Sequence, residues 1–352
     1  MKSRILFLVS LSLFLTFACS SPKGKNFTDI KILTNPAERK TDILFDGKLF
    51  TSFIWPDNVY KPVLYPVLTS AGTEVTRGFP LKPREGEQVD HIHQVGIWLN
   101  YGNVNGLDFW GNGSRGFKEP KGGEIKHVNI NKIQIGDGEG YFVTTESWLT
   151  PSGKVLLDEL SEYHFIADGQ VRIIDRITKL TAKDTAVLFK DTKEGMFGMR
   201  VARQLELPSK SGVILIDSTG NPSKEKDTLN KDVSGDYRSS EGLTGEAVWG
   251  TRAKWMALSG NIGNEDISII ICDHPKNPGY PTYWHARGYG LFSANPFGWK
   301  DFTKEKEEFN FTIPAKKSAT LRYRVIITSG KTLTDDEINK YCGDFGKKYK
   351  NK

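Results

Sequence analysis

The stretch Thr320-Leu321-Arg322-Tyr323-Arg324-Val325-Ile326-Ile327 decides the fold class. Leu321, Tyr323, Val325 and Ile327 fall on one face of an extended chain, and Thr320, Arg322, Arg324 and Ile326 on the other. Just before it, Phe309, Phe311 and Ile313 alternate with Asn310 and Thr312. A period of two puts one apolar face on a core and the other toward water or a second layer. Working outward, 125–135, 141–149, 160–166 and 171–180 also read as strands. Ile267 to Cys272 is almost continuously apolar, as for a strand covered on both faces. Gly, Pro, Asn and Asp separate these runs at short intervals. Gly136 to Gly140 is such a hairpin turn, since no helix signal follows it to make a nucleotide loop. The expectation is an all-β protein, a large antiparallel β-sandwich, without solenoid or propeller repeats.

One helix is expected, at 334–346. Thr334 is a capping residue with Glu337 three positions on, and Ile338, Tyr341, Cys342 and Phe345 form an apolar stripe at helical spacing. The stretch from Pro222 to Ser240 reads as a long polar surface loop.

The front of the chain reads as an export leader. Lys2 and Arg4 precede an apolar run, Ile5 to Ala18, shorter than the roughly 20 residues a spanning helix needs. Thr16-Phe17-Ala18-Cys19 resembles a bacterial lipobox, with Thr16 in place of the usual leucine. That resemblance implies a signal peptide at 1–18, acylation of Cys19, a tether at 19–28 and one β-sandwich domain over 29–352. The protein would then be exported, periplasmic or at the cell surface, and touch a membrane only through its lipid. The chain has 48 Lys+Arg against 42 Asp+Glu, spread along its length, so nucleic acid is not an expected partner. Besides Cys19 only Cys272 and Cys342 occur. They read equally as a disulfide or as two free thiols.

Chemistry concentrates in three places. In Asp90-His91-Ile92-His93-Gln94, an extended chain would turn His91 and His93 to one side, for acid–base work or, with a further ligand, a metal. Asp90 is placed to orient a neighbour. Shortly after come Asp108 and Trp110, a carboxylate for sugar hydroxyls and an indole for a ring face, or a turn over a buried Trp. In Lys190 to Arg200, Glu194 is a candidate base and Arg200 a candidate anchor, the alternative being a surface ion-pair loop. The third is Asp273 to Leu291 with Asn295 to Trp299, where His274, Trp284, His285, Arg287 and Asn295 sit among prolines and aromatics. His127 and His164 lack such company and read as structural.

These motifs resemble a bacterial family labelled "methane oxygenase PmoA-like", of unknown function. The resemblance rests on Tyr65 to Leu68, Thr76-Arg77-Gly78-Phe79-Pro80, Asp90 to His93, Asn105 to Trp110, Lys193-Glu194-Gly195, Trp284 to Arg287 and Ala294 to Gly298. Ile92 and Gln94 depart from its Asp-His-Pro-His-His pattern. Methane oxidation by a multi-span membrane protein does not fit a polar, strand-rich chain. At fold level the chain looks like the galactose-mutarotase-type supersandwich, which implies a carbohydrate ligand and no cofactor. On this reading His91, His93, Glu194 and His285 are catalytic. Arg77, Asp108, Trp110, Arg200, His274, Trp284, Arg287 and Asn295 bind substrate, with the pyranose on Trp110 or Trp284. A non-catalytic glycan-binding lipoprotein and a metal-dependent enzyme centred on His91 and His93 are the alternatives.

Overall fold

The computed structural model describes residues 28–111 and 122–351. The leader at 1–18, Cys19 and the tether up to residue 27 lie outside the described residues. Strands dominate and form two eight-stranded antiparallel sheets. The first runs, in spatial order, β1 (Ile30–Asn35), β2 (Lys40–Phe45), β3 (Lys48–Ile54), β4 (Val63–Val67), β5 (Ile97–Tyr101), β11 (Gly195–Arg200), β16 (Leu291–Asn295) and β15 (Tyr283–Ala286). The second runs β12 (Asp236–Ser239), β13 (Trp255–Ile262), β14 (Glu265–Asp273), β18 (Ser318–Ser329), β9 (Val171–Ala182), β8 (Val155–Asp168), β7 (Glu139–Leu149) and β6 (Glu124–Gly136). A small ribbon pairs β10 (Val187–Phe189) with β17 (Phe311–Ile313). This is the antiparallel all-β architecture that the period-two runs imply. The long polar stretch from Pro222 to Ser240 is mostly loop, and its last residues form β12.

The alternation has a direct physical reading. Along β7 every second residue is buried, and the inward set is Gly140, Phe142, Thr144, Glu146 and Trp148. Leu321, Tyr323, Val325 and Ile327 of β18 enter the same inter-sheet core. A set of polar groups inside it pair with one another. Glu159 accepts from Arg176 at 2.7 Å and from the Trp148 indole at 2.8 Å. His127 packs against Phe53 and Trp55 beside Glu146, and His164 pairs with Glu139, so both are structural.

The outer face of the second sheet is covered as well, which is why Ile267 to Cys272 could be apolar throughout. Ile267, Ile269 and Ile271 face the first sheet, whereas Ile270 and Cys272 join Trp255, Ile326, Ile338 and Phe345 in a second cluster. That cluster lies under the C-terminal helix, Asp335–Lys348. Its N-terminus is closed by the Thr334–Glu337 capping box. Burying a side chain such as Phe345 or Ile338 contributes about 1.5–3 kcal/mol. Cys272 and Cys342 form a disulfide that ties this helix to β14. Among the described residues no helix is long and apolar enough to cross a membrane.

Candidate active site

In the first sheet, Leu99, Tyr101, Phe197, Met199, Trp284, Ala286 and Phe292 point into the inter-sheet core. Their neighbours of opposite parity therefore point to the outer face. There Trp98 joins a separate apolar cluster with Val95, Trp110 and Leu291. His285 lies on the same outer face. Gly198 gives the Trp98 indole its room, since a Cβ there would stand 2.7 Å from the ring. Loops flanking β5, β11 and β15 rise around this floor and enclose a cavity of about 930 Å³. His91, His93, Asp108, Glu194, His285 and Arg287 all line it. Segments nearly two hundred positions apart in the chain thus converge on one site.

His91 and His93 arrive by a route the sequence did not show. The segment is a turn rather than a strand: Gln94 N–H donates to the His91 carbonyl at 2.9 Å, and His91 has φ +43. The two rings still meet, edge to face, with centroids 5.7 Å apart. His91 stacks on Tyr289 at 4.9 Å. Its Nδ1 lies 2.5 Å from Asp90 Oδ2, which fixes the proton on Nδ1 and leaves Nε2 as the acceptor. The other Asp90 oxygen accepts from Arg77 and from Arg200, each at 2.7 Å. Burial alone would raise the Asp90 pKa. The His91 hydrogen bond and the charges of Arg200 and Arg77 outweigh it and hold the carboxyl well below the usual range.

The Thr192-Lys193-Glu194 segment is clamped from several sides. Asn295 Nδ2 donates to the Thr192 carbonyl at 2.9 Å, and Asp301 accepts from Lys193 N–H at 2.8 Å. Gly102 N–H donates to the Glu194 carbonyl at 2.7 Å. His285 Nδ1 donates to the Lys193 carbonyl at 2.9 Å, so its Nε2 is also an acceptor. Burial, with the positive charges of Arg287 and Lys193, pushes the His285 imidazole down to about 3, and the ring is neutral at physiological pH. Burial raises the Glu194 carboxyl above its ordinary value. His93 is pushed far down by burial and then by Lys61. Lys61, whose ammonium donates to the His93 carbonyl at 2.7 Å, is brought to about 7 by burial, partly offset by Asp108.

Several expected binding residues are not at the cavity surface. Arg77 and Arg200 are fully buried, and their terminal Nη donors are taken by Asp90, Gln94 and main-chain carbonyls. They position the His91 loop and do not reach a ligand. Trp284 is fully buried in the inter-sheet core and donates to the Ala253 carbonyl, so it offers no sugar platform. Trp110 lines the cavity but is only 3% exposed, packed on Trp98 at 5.5 Å, so no ring face is free. His274 is buried against Phe345 of the C-terminal helix, remote from the cavity lining. Asn295 is buried and acts on the Thr192 carbonyl. Asp108 does line the cavity, and its Oδ1 accepts from the Trp110 and Gly111 amides, both at 2.9 Å.

Tyr289, Trp249, Asp301 and Lys61 complete the surroundings and were not singled out from sequence. Tyr289 lay within the aromatic-rich third segment, where its spacing from His285 was a usable signal. Trp249 and Asp301 had none. Among the described residues no group of three or more His, Cys, Asp and Glu side chains is arranged to hold a metal ion.

Sheets and cavity together define an antiparallel β-sandwich protein with a polar, histidine-lined pocket on the outer face of one sheet. The chain belongs to the family described as "Family of unknown function (DUF6807)", which matches residues 40–343. That description carries no counterpart of the methane-oxygenase-like resemblance. A search of curated proteins finds no match. Similar solved structures include the galactosidase domain of an α-galactosidase–sucrose kinase, at 8% identity and TM-score 0.38 over 85% of this chain and 41% of that one. A galactose mutarotase related enzyme from Lactobacillus acidophilus is similar at 11% identity and TM-score 0.31, over 86% and 98%. A putative aldose 1-epimerase from Escherichia coli K12 is similar at 12% and 0.27, over 85% and 99%. This chain spans about two fifths of the galactosidase it matches. Likenesses of this size carry no argument about chemistry, which has to come from the cavity itself.

Proposed function

We propose that the protein is a sugar-directed acid–base enzyme working in the cavity between His91, Glu194 and His285. One observation carries the reading. Three separate segments deliver two imidazole acceptors and a carboxyl of raised pKa to one polar, open pocket. Asp90 supports His91 as a base, because a carboxylate on Nδ1 stabilises the imidazolium that forms when Nε2 takes a proton. Glu194, raised by burial, is the complementary acid. On a cyclic sugar, His91 takes the proton of the anomeric hydroxyl and Glu194 gives its proton to the ring oxygen. The bond between the anomeric carbon and the ring oxygen breaks, leaving an open-chain aldehyde, and reclosure returns both protons. His285 Nε2 accepts from a neighbouring hydroxyl. The reading includes export and lipid attachment at Cys19, supported by the leader composition and by a disulfide suited to an oxidising compartment.

The test is turnover of a panel of aldoses and uronates by proton NMR, with wild type beside His91→Ala, Glu194→Gln and His285→Ala. Wild type is expected to accelerate anomer exchange or solvent-hydrogen exchange of some member, and each variant to lose it while keeping its fold. Full activity in all three variants would overturn the assignment. A glycan-binding protein without turnover is the second reading, favoured by the neutrality of His93 and His285 at all physiological pH. In that case sugar binding survives His91→Ala with no turnover in any form.

A further inference from the structure

Arg287 is the side chain in the cavity with most left to offer. It follows β15, two residues after His285, so both reach the same side of the sheet. Its guanidinium lies over the Trp249 ring at 5.4 Å and the Tyr289 ring at 5.9 Å. Among the described residues it makes no hydrogen bond and no ion pair. The other guanidinium groups nearby are buried and ion-paired: Arg77 and Arg200 with Asp90, and Arg203 with Glu206 at 2.6 Å. The acids of the cavity are also engaged or attenuated. Asp108 caps two amides, Asp301 accepts from Lys193 N–H, and Glu194 is biased toward its neutral form. Lys193 adds a second positive charge to the lining. Arg287 also borders an adjoining cavity of about 470 Å³, where Glu246 and Glu206 lie without forming an ion pair to it. An anionic group at Arg287 would therefore sit at the junction of the two cavities, with the rest of the ligand reaching back toward His285 and Glu194.

A flat guanidinium held on aromatic faces is pre-organised for two parallel hydrogen bonds to a carboxylate or sulfate. We propose that the ligand is an acidic sugar whose carboxylate or sulfate is gripped by Arg287. This rests on the sugar-directed reading above and names its substrate class. A charge-assisted pair of this kind contributes about 1.5–3 kcal/mol, or roughly 10- to 100-fold in affinity.

The experiment is calorimetric binding at low ionic strength. The probes are D-glucuronate, D-galacturonate and D-galactose 6-sulfate, each beside its neutral parent sugar. The proteins are wild type, Arg287→Lys, Arg287→Met and Glu194→Gln, with thermal midpoints as the fold control. Wild type is expected to bind at least one acidic probe at least ten times more tightly than its parent. Arg287→Met should erase that margin, weakening the acidic probe far more than its neutral parent, and Arg287→Lys should keep part of it. A carboxylate-only or sulfate-only margin identifies which anion is used. Equal binding of acid and parent, or equal losses of both in Arg287→Met, overturns the proposal. If neutral sugars bind and are turned over in a Glu194-dependent way with no role for Arg287, the acid–base reading stands and this inference alone falls. If no sugar binds, both fall.

Discussion

Replacing Asp90 by Asn should damage stability and chemistry together, and the structure sets the size of each. Asp90 bridges two guanidinium groups that are 0% exposed and one imidazole, while its own side chain is 30% exposed. Removing one member of a buried ion pair typically costs about 3–5 kcal/mol, because the remaining charge is left poorly compensated. Two features reduce that here. Asp90 is partly solvated, and Arg77 keeps the carbonyls of His91 and Gln94 while Arg200 keeps Gln94 Oε1. The expected loss is about 2–3 kcal/mol, which for a domain of this size is a midpoint drop on the order of 3–5 °C. The pH sign follows from the depressed carboxyl. Its contribution is present above its ordinary value of 3.8 and is lost as pH falls toward the native value, so the variant and wild type should converge in acid. Asn would also present an N–H to His91 Nδ1 and favour the opposite tautomer, costing activity about 10²–10⁴-fold. Thermal melts from pH 3 to pH 8 with the disulfide intact, beside Arg287→Met as a control with no polar partner to lose, measure the first part. An Asp90→Asn protein as stable as wild type at neutral pH would refute the claim that this carboxylate holds the two arginines.

Gly102→Ala would place a Cβ 2.7 Å from the Glu194 Cβ, so the Glu194 segment must shift, and turnover or sugar affinity should fall severalfold together with the thermal midpoint. Unchanged function would show that the Glu194 position is not critical. Lys61 is depressed from 10.5 to about 7, so the unfolded chain binds more protons between those values and stability gained through Lys61 rises with pH over that window. Lys61→Met should flatten this rise, and melts of both proteins from pH 6.5 to 10 would show it. Opening the disulfide frees a 70-residue separation, and Cys342→Ser should cost about 4 kcal/mol on the chain-entropy account. Denaturation of wild type with and without reductant gives an independent value.

The sheets were legible because alternation is a local property. Leu321 to Ile327 on β18 and Phe142 to Trp148 on β7 declare their inward faces without knowledge of a partner. The C-terminal helix was legible for the same reason, through Thr334 and Glu337. Burial of the opposite face was harder to see: Arg324 reads as solvent-facing, yet it pairs with buried Asp175 at 2.6 Å beneath the helix. The convergence of His91, Glu194, His285 and Arg287 could be proposed from residue type, but their neighbours could not. Arg77 and Arg200 looked like ligand anchors because a guanidinium gives no sign in sequence of whether its acceptor is a substrate or, as here, Asp90. Trp284 looked like a platform because strand parity in so short a run as β15 does not say which side is the core. Tyr289 and Trp249 owe their roles to packing between segments distant in the chain. The choice between a disulfide and two thiols rested on the docking of the helix against β14.

The most direct test is nitrogen NMR of the six histidine side chains in protein labelled at the imidazoles. In the free protein His91 and His285 should both carry their proton on Nδ1, and His285 should stay neutral from pH 5 to pH 8. Addition of the sugar that binds should shift the Nε2 signals of these two rings and leave those of His127, His164 and His274 in place. Protons found on Nε2 of His91 and His285, or a ligand that moves the three structural histidines instead, would contradict the assignment of this cavity as the working site.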